Sequence, residues 1–237
     1  MAQKTKSSKT RADLALVDSG LVETRSRAQA LILAGKVFSG ERRVEKAGET
    51  VADDAPLEVR GQDHSWVSRG GLKLDHALDE LAIDAAGAVA IDVGASTGGF
   101  TDVLLARGAA RVYAVDVGHG QFAWRLRNDD RVVVLEKTNA RHLTREHVPE
   151  PVTAIVCDAS FIGLETVLPA SMALAGPGAW LVALIKPQFE VGRDQVGKKG
   201  VVRDPALHEA VCERIRGWLD AQPGWRVTGL AESPITG

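Results

Sequence analysis

The stretch Asp92-Val93-Gly94-Ala95-Ser96-Thr97-Gly98-Gly99-Phe100 decides how this chain is read. An apolar run over 88–93 leads into it and a helical pattern leads out, so it joins a strand to a helix. Gly94, Gly98 and Gly99 carry no side chain and would let backbone approach a ligand closely. Asp92 opens the turn and Ser96 sits at its tip. Asp116 ends the next apolar run, where a carboxylate can accept hydrogen bonds from ribose hydroxyls. The spacing is not that of dinucleotide enzymes, and no Gly-Lys-Ser/Thr run marks a phosphate loop. A nucleoside without a pyrophosphate fits better, and S-adenosylmethionine is the obvious one. The plainer alternative, a tight turn with no ligand, is weakened by Asp116 at the matching place.

Outward from this turn, apolar runs recur at 88–93, 111–117, 132–136, 153–157, 179–185 and 225–230, with helical stretches between most of them. Buried strands alternating with helices predict an α/β, Rossmann-like fold with a mostly parallel sheet covered on both faces. Ligands in such sheets sit at the carboxyl ends of the strands. Asp158 lies at the end of the fourth run and Lys186 at the end of the fifth, and Asn139, after the third, is a candidate for the adenine edge. A lysine closing an apolar strand needs a carboxylate partner, because an unpaired buried ammonium is costly. Asp158 is the natural partner, in a catalytic or a purely structural pair. Pro187 turns the chain away at once and leaves Lys186 at the top edge of the sheet. Gly197-Lys198-Lys199-Gly200-Val201-Val202-Arg203-Asp204 reads equally as a solvated basic turn or a substrate contact. The six histidines show no metal spacing, and no metal site is expected.

The first sixty residues differ in kind. Residues 1–46 hold ten Lys/Arg against five Asp/Glu, a balance of +5 in a chain whose net charge is -2. An overall pI of about 6.3 argues against polyanion binding by the whole surface and allows one local basic face. After a basic tail, a helix is expected from Arg11 to Asp18 with Leu14 and Val17 on one face, closed by Gly20. Thr24 can cap a second helix whose apolar face is Ala28, Leu31 and Ile32. Strands are expected at Lys36–Phe38, Arg42–Lys46 and Pro56–Arg60. Arg11, Arg25, Arg27, Lys36 and Arg42 are the candidate RNA-phosphate contacts. Residues 61–70 read as a linker with Trp66 as a packing anchor, followed by a helix over Leu72–Leu81. The expected division is a binding module over 1–60, a linker over 61–70 and a larger domain over 71–237.

Two cysteines, Cys157 and Cys212, give no disulfide framework and suit a reducing, cytoplasmic setting. The basic start has no apolar run behind it, so it does not read as a signal peptide. The longest apolar stretch, 167–185, is cut by Pro169 and by Gly176-Pro177-Gly178. It reads as helix, turn and strand, not as a membrane span.

With these residues in view the chain resembles the TlyA family: an S4-type RNA-binding domain joined to an FtsJ-like methyltransferase domain. The N-terminal resemblance runs from Arg11-Ala12-Asp13-Leu14 through Gly20–Ala28 to Leu31–Val37. The linker resemblance is Trp66–Leu74, and the methyltransferase resemblance runs from Asp92 through Arg203-Asp204. It implies S-adenosylmethionine-dependent 2'-O-methylation of ribosomal RNA cytidines within ribosomal subunits; a monomer is the default expectation. It also implies a Lys-Asp-Lys-Glu tetrad, of which Lys73, Asp158 and Lys186 match the first three members, with Lys186 as the base. The family's Glu lies in a last strand after the segment matching Glu232–Gly237, and neither Glu190 nor Glu232 occupies its motif position. The resemblance therefore implies a domain lacking its last strand, with unpaired edges on the two strands that it would separate. Two other readings stand beside this one. One is a non-catalytic ribosomal-RNA-binding or assembly module. The other is a hemolysin, a label that proteins resembling this one have carried.

Overall fold

The computed structural model describes residues 9–22, 24–52, 56–60, 65–192, 195–197 and 200–235. Residues 1–8 of the basic tail, residues 61–64 at the start of the linker, and Lys198-Lys199 of the basic loop lie outside the described residues.

The N-terminal unit begins with β1 (Lys9–Arg11) and α1 (Ala12–Asp18), followed by α2 (Arg25–Leu33), β2 (Val37–Ser39), β3 (Arg42–Arg43), β4 (Thr50–Ala52) and β5 (Leu57–Val59). Thr24 caps α2 as expected, its hydroxyl accepting from the Arg27 N–H at 3.2 Å, and Ala28, Leu31 and Ile32 form the buried face. The face of α1 is not the expected one. Ala12, Asp13 and Leu16 are buried, and Leu14 is 37% exposed. Asp13 can be inside because arginines meet it there, so a charged position counts as core. The strands β1 and β4, which pair with each other, carry no apolar alternation long enough to read. The expected strand over Arg42–Lys46 is only two residues long.

The larger unit opens with α3 (Gly70–Glu80), then β6 (Val89–Val93), α4 (Gly99–Ala106), β7 (Arg111–Val115), α5 (Trp124–Arg127) and β8 (Val132–Leu135). It continues with β9 (Val152–Cys157), α6 (Leu164–Val167), α7 (Pro169–Met172), β10 (Ala175–Ala183), α8 (Pro187–Glu190) and α9 (Pro205–Asp220). Five strands form one sheet in the order β10-β9-β6-β7-β8, all parallel. Side chains alternate across it. Ala90, Ala114 and Ala154 face the side of α3 and α4, against Leu74, Val103 and Leu104. Ile91, Tyr113 and Ile155 face the other side, against Leu168, Met172, Val211 and Ile215. Small residues on one face let α4 come close, and β-branched and aromatic residues fill the other. The three central strands are covered on both faces, as a parallel sheet requires.

Two expectations about this sheet are corrected. Residues 225–230 form no strand. The Val227 N–H goes to Asp220 Oδ1 at 2.7 Å and Trp225 packs on the second face, but among the described residues no ladder pairs with this segment. Without a ladder the apolar alternation is only an extended run. Gly176-Pro177-Gly178 is not a turn before the strand but an irregularity inside β10, where the register shifts between Ala175 and Trp180 and Gly178 has φ +76.

The chain winds outward from β6 through β7 to β8, then crosses back to place β9 and β10 on the other side. The strand order therefore reverses between β6 and β9, and the crevice beyond their carboxyl ends is the natural ligand position. The two units meet where Gly20, at φ +70, lies against Ala123; an added Cβ would stand 2.8 Å from the Ala123 Cα. Gly20→Ala should destabilise the protein by about 1–2 kcal/mol from the left-handed backbone alone, more if Ala123 cannot give. Thermal melts read the loss, and an unchanged melting temperature would contradict this contact.

Candidate active site

Three strand ends converge on the crevice. Asp158 follows β9 directly, its N–H bonded to Val93 O at 3.0 Å, which holds it beside the end of β6. Lys186 follows β10 and starts α8, with Pro187 in the first helical position. Lys73 stands on the first turn of α3, the helix that packs against α4. Lys186 Nζ lies 2.5 Å from Asp158 Oδ1, and Lys73 Nζ lies 3.6 Å from Asp158 Oδ2. Lys186 Nζ also donates to Asp158 O at 3.0 Å and to Ser160 Oγ at 2.9 Å. One carboxylate thus lies between two lysine side chains at the rim of the crevice. All three side chains are between 14 and 19% exposed, shielded enough for the charges to interact and open enough for a substrate to reach.

The glycine turn forms the other wall. Gly94 has φ +81 and backs directly onto β9's exit, where an added Cβ would lie 2.9 Å from both the Cα and N of Ala159. Gly98 has φ +97 and admits Leu126 and Phe122, while Gly99 admits Ser68 and the N-terminus of α3. The side that a Cβ would occupy at each of these glycines is filled by the protein's own chain. Their work is to let β9, α5 and α3 close around the turn. Ser96 is the exposed tip, held at φ +49, a left-handed conformation that a non-glycine residue adopts at a cost. Asp116 braces it, accepting from the Ser96 N–H at 2.8 Å and from the Gly118 N–H at 2.7 Å. Asn139 stands nearby in chain terms, since the Thr138 N–H bonds to Asp116 O at 2.9 Å. Its Oδ1 accepts from the Arg141 N–H at 3.1 Å.

Asp92 is fully buried. Its Oδ2 accepts from the Thr101 N–H at 2.9 Å and from the Thr101 hydroxyl at 2.7 Å, while Oδ1 has no hydrogen-bond partner among the described residues. Burial, against the Thr101 hydrogen bonds and with the charges of Asp158 and Asp116 adding to it, pushes its carboxyl up to about 7. The fold therefore holds a proton that the unfolded chain gives up. The stability that Asp92 contributes is full below about 4, falls as pH rises to about 7 and is level above. Asp92→Asn should flatten that slope in melting temperatures measured across the window; a variant that tracks the wild type would refute this ionisation.

Sequence reasoning missed Ser160 and two aromatic rings. Phe161 is 90% exposed at φ +65, and its ring packs 5.0 Å from that of Phe189. The signal available was the polar-aromatic run after Asp158, but nothing in it shows that the Ser160 hydroxyl meets Lys186. Glu190 is not near this lysine pair's carboxylate role. Its side chain is buried, accepting from the Leu164 N–H at 2.8 Å and pairing with Arg214 at 2.8 Å. On the N-terminal unit, Arg11 and Arg25 both pair with Asp13, Arg42 pairs with Glu49, and Arg27 is exposed on α2. Lys36 follows the end of that helix, its N–H bonded to Leu31 O at 3.0 Å.

The FtsJ-like methyltransferase family matches residues 66–237, and the S4 domain family matches residues 10–55. The 16S/23S rRNA (cytidine-2'-O)-methyltransferase TlyA of Mycobacterium tuberculosis is 49% identical over 234 residues, 97% of this chain and 85% of that one. The chain belongs to the TlyA family of FtsJ-like methyltransferases. Hemolysin A of Brachyspira hyodysenteriae is 40% identical over 92% of this chain and 90% of its own length. A solved structure from Streptococcus thermophilus, also named as a hemolysin, is 42% identical with a TM-score of 0.74, covering 98% of this chain and 84% of that one. Among the described residues no helix is long and apolar enough to cross a membrane, and no group of His, Cys, Asp and Glu could hold a metal ion.

Gly94→Ala places a methyl group against the backbone beside Asp158. It should lower stability by about 1–2 kcal/mol through the left-handed backbone and displace Asp158 from Lys186. Thermal melts and methyl-transfer rates check it; normal values of both would contradict the close approach of β6 and β9.

Proposed function

We propose that this chain transfers a methyl group from S-adenosylmethionine to the ribose 2'-hydroxyl of cytidines in ribosomal RNA, acting on ribosomal subunits as a monomer. The observation that carries the proposal is the shared carboxylate of Asp158 between Lys73 and Lys186 at the switch point of the sheet. The family supports the reaction class, and the tuberculosis relative supports the cytidine 2'-oxygen as acceptor.

The crevice suits a cationic nucleoside. Asp92, Asp116 and Asp158 lie close enough for their charges to act on one another. Asp92 Oδ1 is a buried polar atom with no hydrogen-bond partner among the described residues, and such atoms in native structures call for a ligand or water. Asp116 would hold the ribose, Asp92 with Gly94, Ser96, Gly98 and Gly99 would line the turn, and Asn139 would meet the adenine edge. When bound, S-adenosylmethionine supplies the reactive methyl group and its own leaving group.

The chain's residues align the acceptor oxygen and take its proton. Lys186 Nζ is the atom that receives it. Asp158 Oδ1, Asp158 O and Ser160 Oγ then hold the ammonium formed. Ser160 suits both states of the amine, because a hydroxyl can accept from an ammonium or donate to a neutral nitrogen. Lys73 shares the Asp158 charge and keeps the carboxylate oriented. The exposed ring of Phe161 offers a face on which a nucleobase can stack, the usual way that proteins hold an unpaired RNA base.

The test is transfer of radiolabelled methyl from S-adenosylmethionine to purified 30S and 50S subunits. The wild type should label RNA. Lys186→Ala should lose about 10²–10⁴ in rate, the range for a positioned acid or base, while calorimetry shows cofactor binding retained. Near-normal turnover by that variant would remove Lys186 from the base role, and cofactor binding without any transfer by the wild type would favour an RNA-binding module.

A further inference from the structure

Glu190 closes α8, and its side chain is only 3% exposed. A buried carboxylate is costly unless it is paired and hydrogen-bonded, and both of its oxygens are used. The Leu164 N–H, at the start of α6 where a helix leaves its donors without partners of its own, donates to Oε1 at 2.8 Å. Arg214 Nη2, on α9, donates to Oε2 at 2.8 Å and to the Glu190 carbonyl at 3.1 Å. Arg214 pairs with Glu165 on α6 as well. Gly163 leaves room for the carboxylate: an added Cβ there would stand 3.2 Å from Glu190 Oε2. One side chain thus ties the end of α8 to the start of α6 and, through Arg214, to α9. None of its hydrogen bonds among the described residues goes to Lys73, Asp158 or Lys186, so it has no direct part in the lysine-carboxylate site.

The chain between the tied points carries that site. Residues 158–164 lead away from β9 and residues 186–190 lead away from β10, so two segments leave adjacent strands together. Their contacts come in order. Lys186 Nζ donates to Ser160 Oγ at 2.9 Å, the ring of Phe161 lies 5.0 Å from that of Phe189, and Leu164 is bonded to Glu190. The first two leave the segment after β9 loosely held, since Phe161 is 90% exposed. Phe161 also stands at φ +65, a backbone conformation that costs a bulky residue energy and persists only where its surroundings impose it. The bond to Glu190, made by a buried carboxylate three residues further on, is the firm anchor of the three.

We infer that Glu190 is a positioning residue for methyl transfer. Through the Leu164 N–H it holds the segment bearing Ser160 and Phe161 against the segment bearing Lys186. It thereby fixes where the hydroxyl meets the amine and where the exposed ring meets the acceptor nucleoside. Arg214 supplies the charge that lets the carboxylate stay inside. The inference deepens the methyl-transfer reading and rests on it.

The test is the single-turnover rate of methyl transfer from radiolabelled S-adenosylmethionine to purified 30S and 50S subunits, both at saturation, beside cofactor affinity from calorimetry. Glu190→Ala should lower the rate by about 10–100-fold, the scale of a small misplacement of reacting groups. Cofactor affinity should not change, because the glycine turn and Asp116 lie on other strands. Glu190→Gln offers one acceptor oxygen to two donors and should fall between wild type and Glu190→Ala; it decides the question if the alanine variant melts early. A role in stability alone would cost the same in any background. Action through the segment after β9 predicts coupling instead: in a Ser160→Ala/Phe161→Ala background, Glu190→Ala should cost less than about threefold further. Near-normal rates by folded Glu190 variants, an equal loss in both backgrounds, or a loss of cofactor affinity that matches the loss of rate overturns the role. Lys186→Ala, run alongside, reports on the base assignment separately. A wild type that binds cofactor and labels neither subunit overturns the methyl-transfer reading itself, and this inference with it.

Discussion

Asp158 lies between two lysine side chains, and much of the larger unit is arranged to keep it there. The parallel order brings the ends of β6 and β9 side by side, and the Asp158 N–H is tied to Val93. Gly94 must be glycine because the turn after β6 runs within backbone contact of Ala159. The first turn of α3 brings Lys73 from one side, and Pro187 ends the strand so that Lys186 comes from the other. Take away the close approach of the glycine turn and the pair of lysines loses its common partner.

A second buried carboxylate works in the same way at the other end of the chain. Asp13 gathers Arg11, Arg25 and Gln29 as Asp158 gathers Lys73 and Lys186. In both places an acidic group inside a shielded setting turns long, rotamer-rich cations into positioned ones. The two places differ in the cations they hold: amines near the crevice can take a proton, whereas guanidinium groups stay charged and can only bind. Gly20 against Ala123 joins the two units close to the segment that packs on the glycine turn.

The alternation of apolar runs was enough to read the α/β architecture, because strands buried on both faces have little freedom of composition. The helix face of Ala28, Leu31 and Ile32 was equally legible. The face of α1 was not, since a buried Asp13 looks polar to any periodicity argument and its partners lie on other elements. Residues 225–230 failed for the complementary reason: apolar alternation is necessary for a strand, but a ladder partner is what makes one. At the site, Asp158 and Lys186 were visible as residue types at strand ends, and Lys73 only through the family resemblance. Ser160, Phe161 and the true neighbours of Gly98 and Gly99 were not, because their contacts cross from one element to another.

By itself the sequence determined the chemistry available and the elements that carry it: a glycine turn after a first buried strand, acidic groups at strand ends, a lysine closing the fifth run, and a basic N-terminal unit. Those are local properties, set by composition and spacing. Only the tertiary structure decided which carboxylate serves which cations, that Asp92 is sealed in, and that Gly94, Gly98 and Gly99 make room for other parts of the chain. These depend on distances between residues far apart in the chain, and burial and charge pairing exist only once the fold has brought them together.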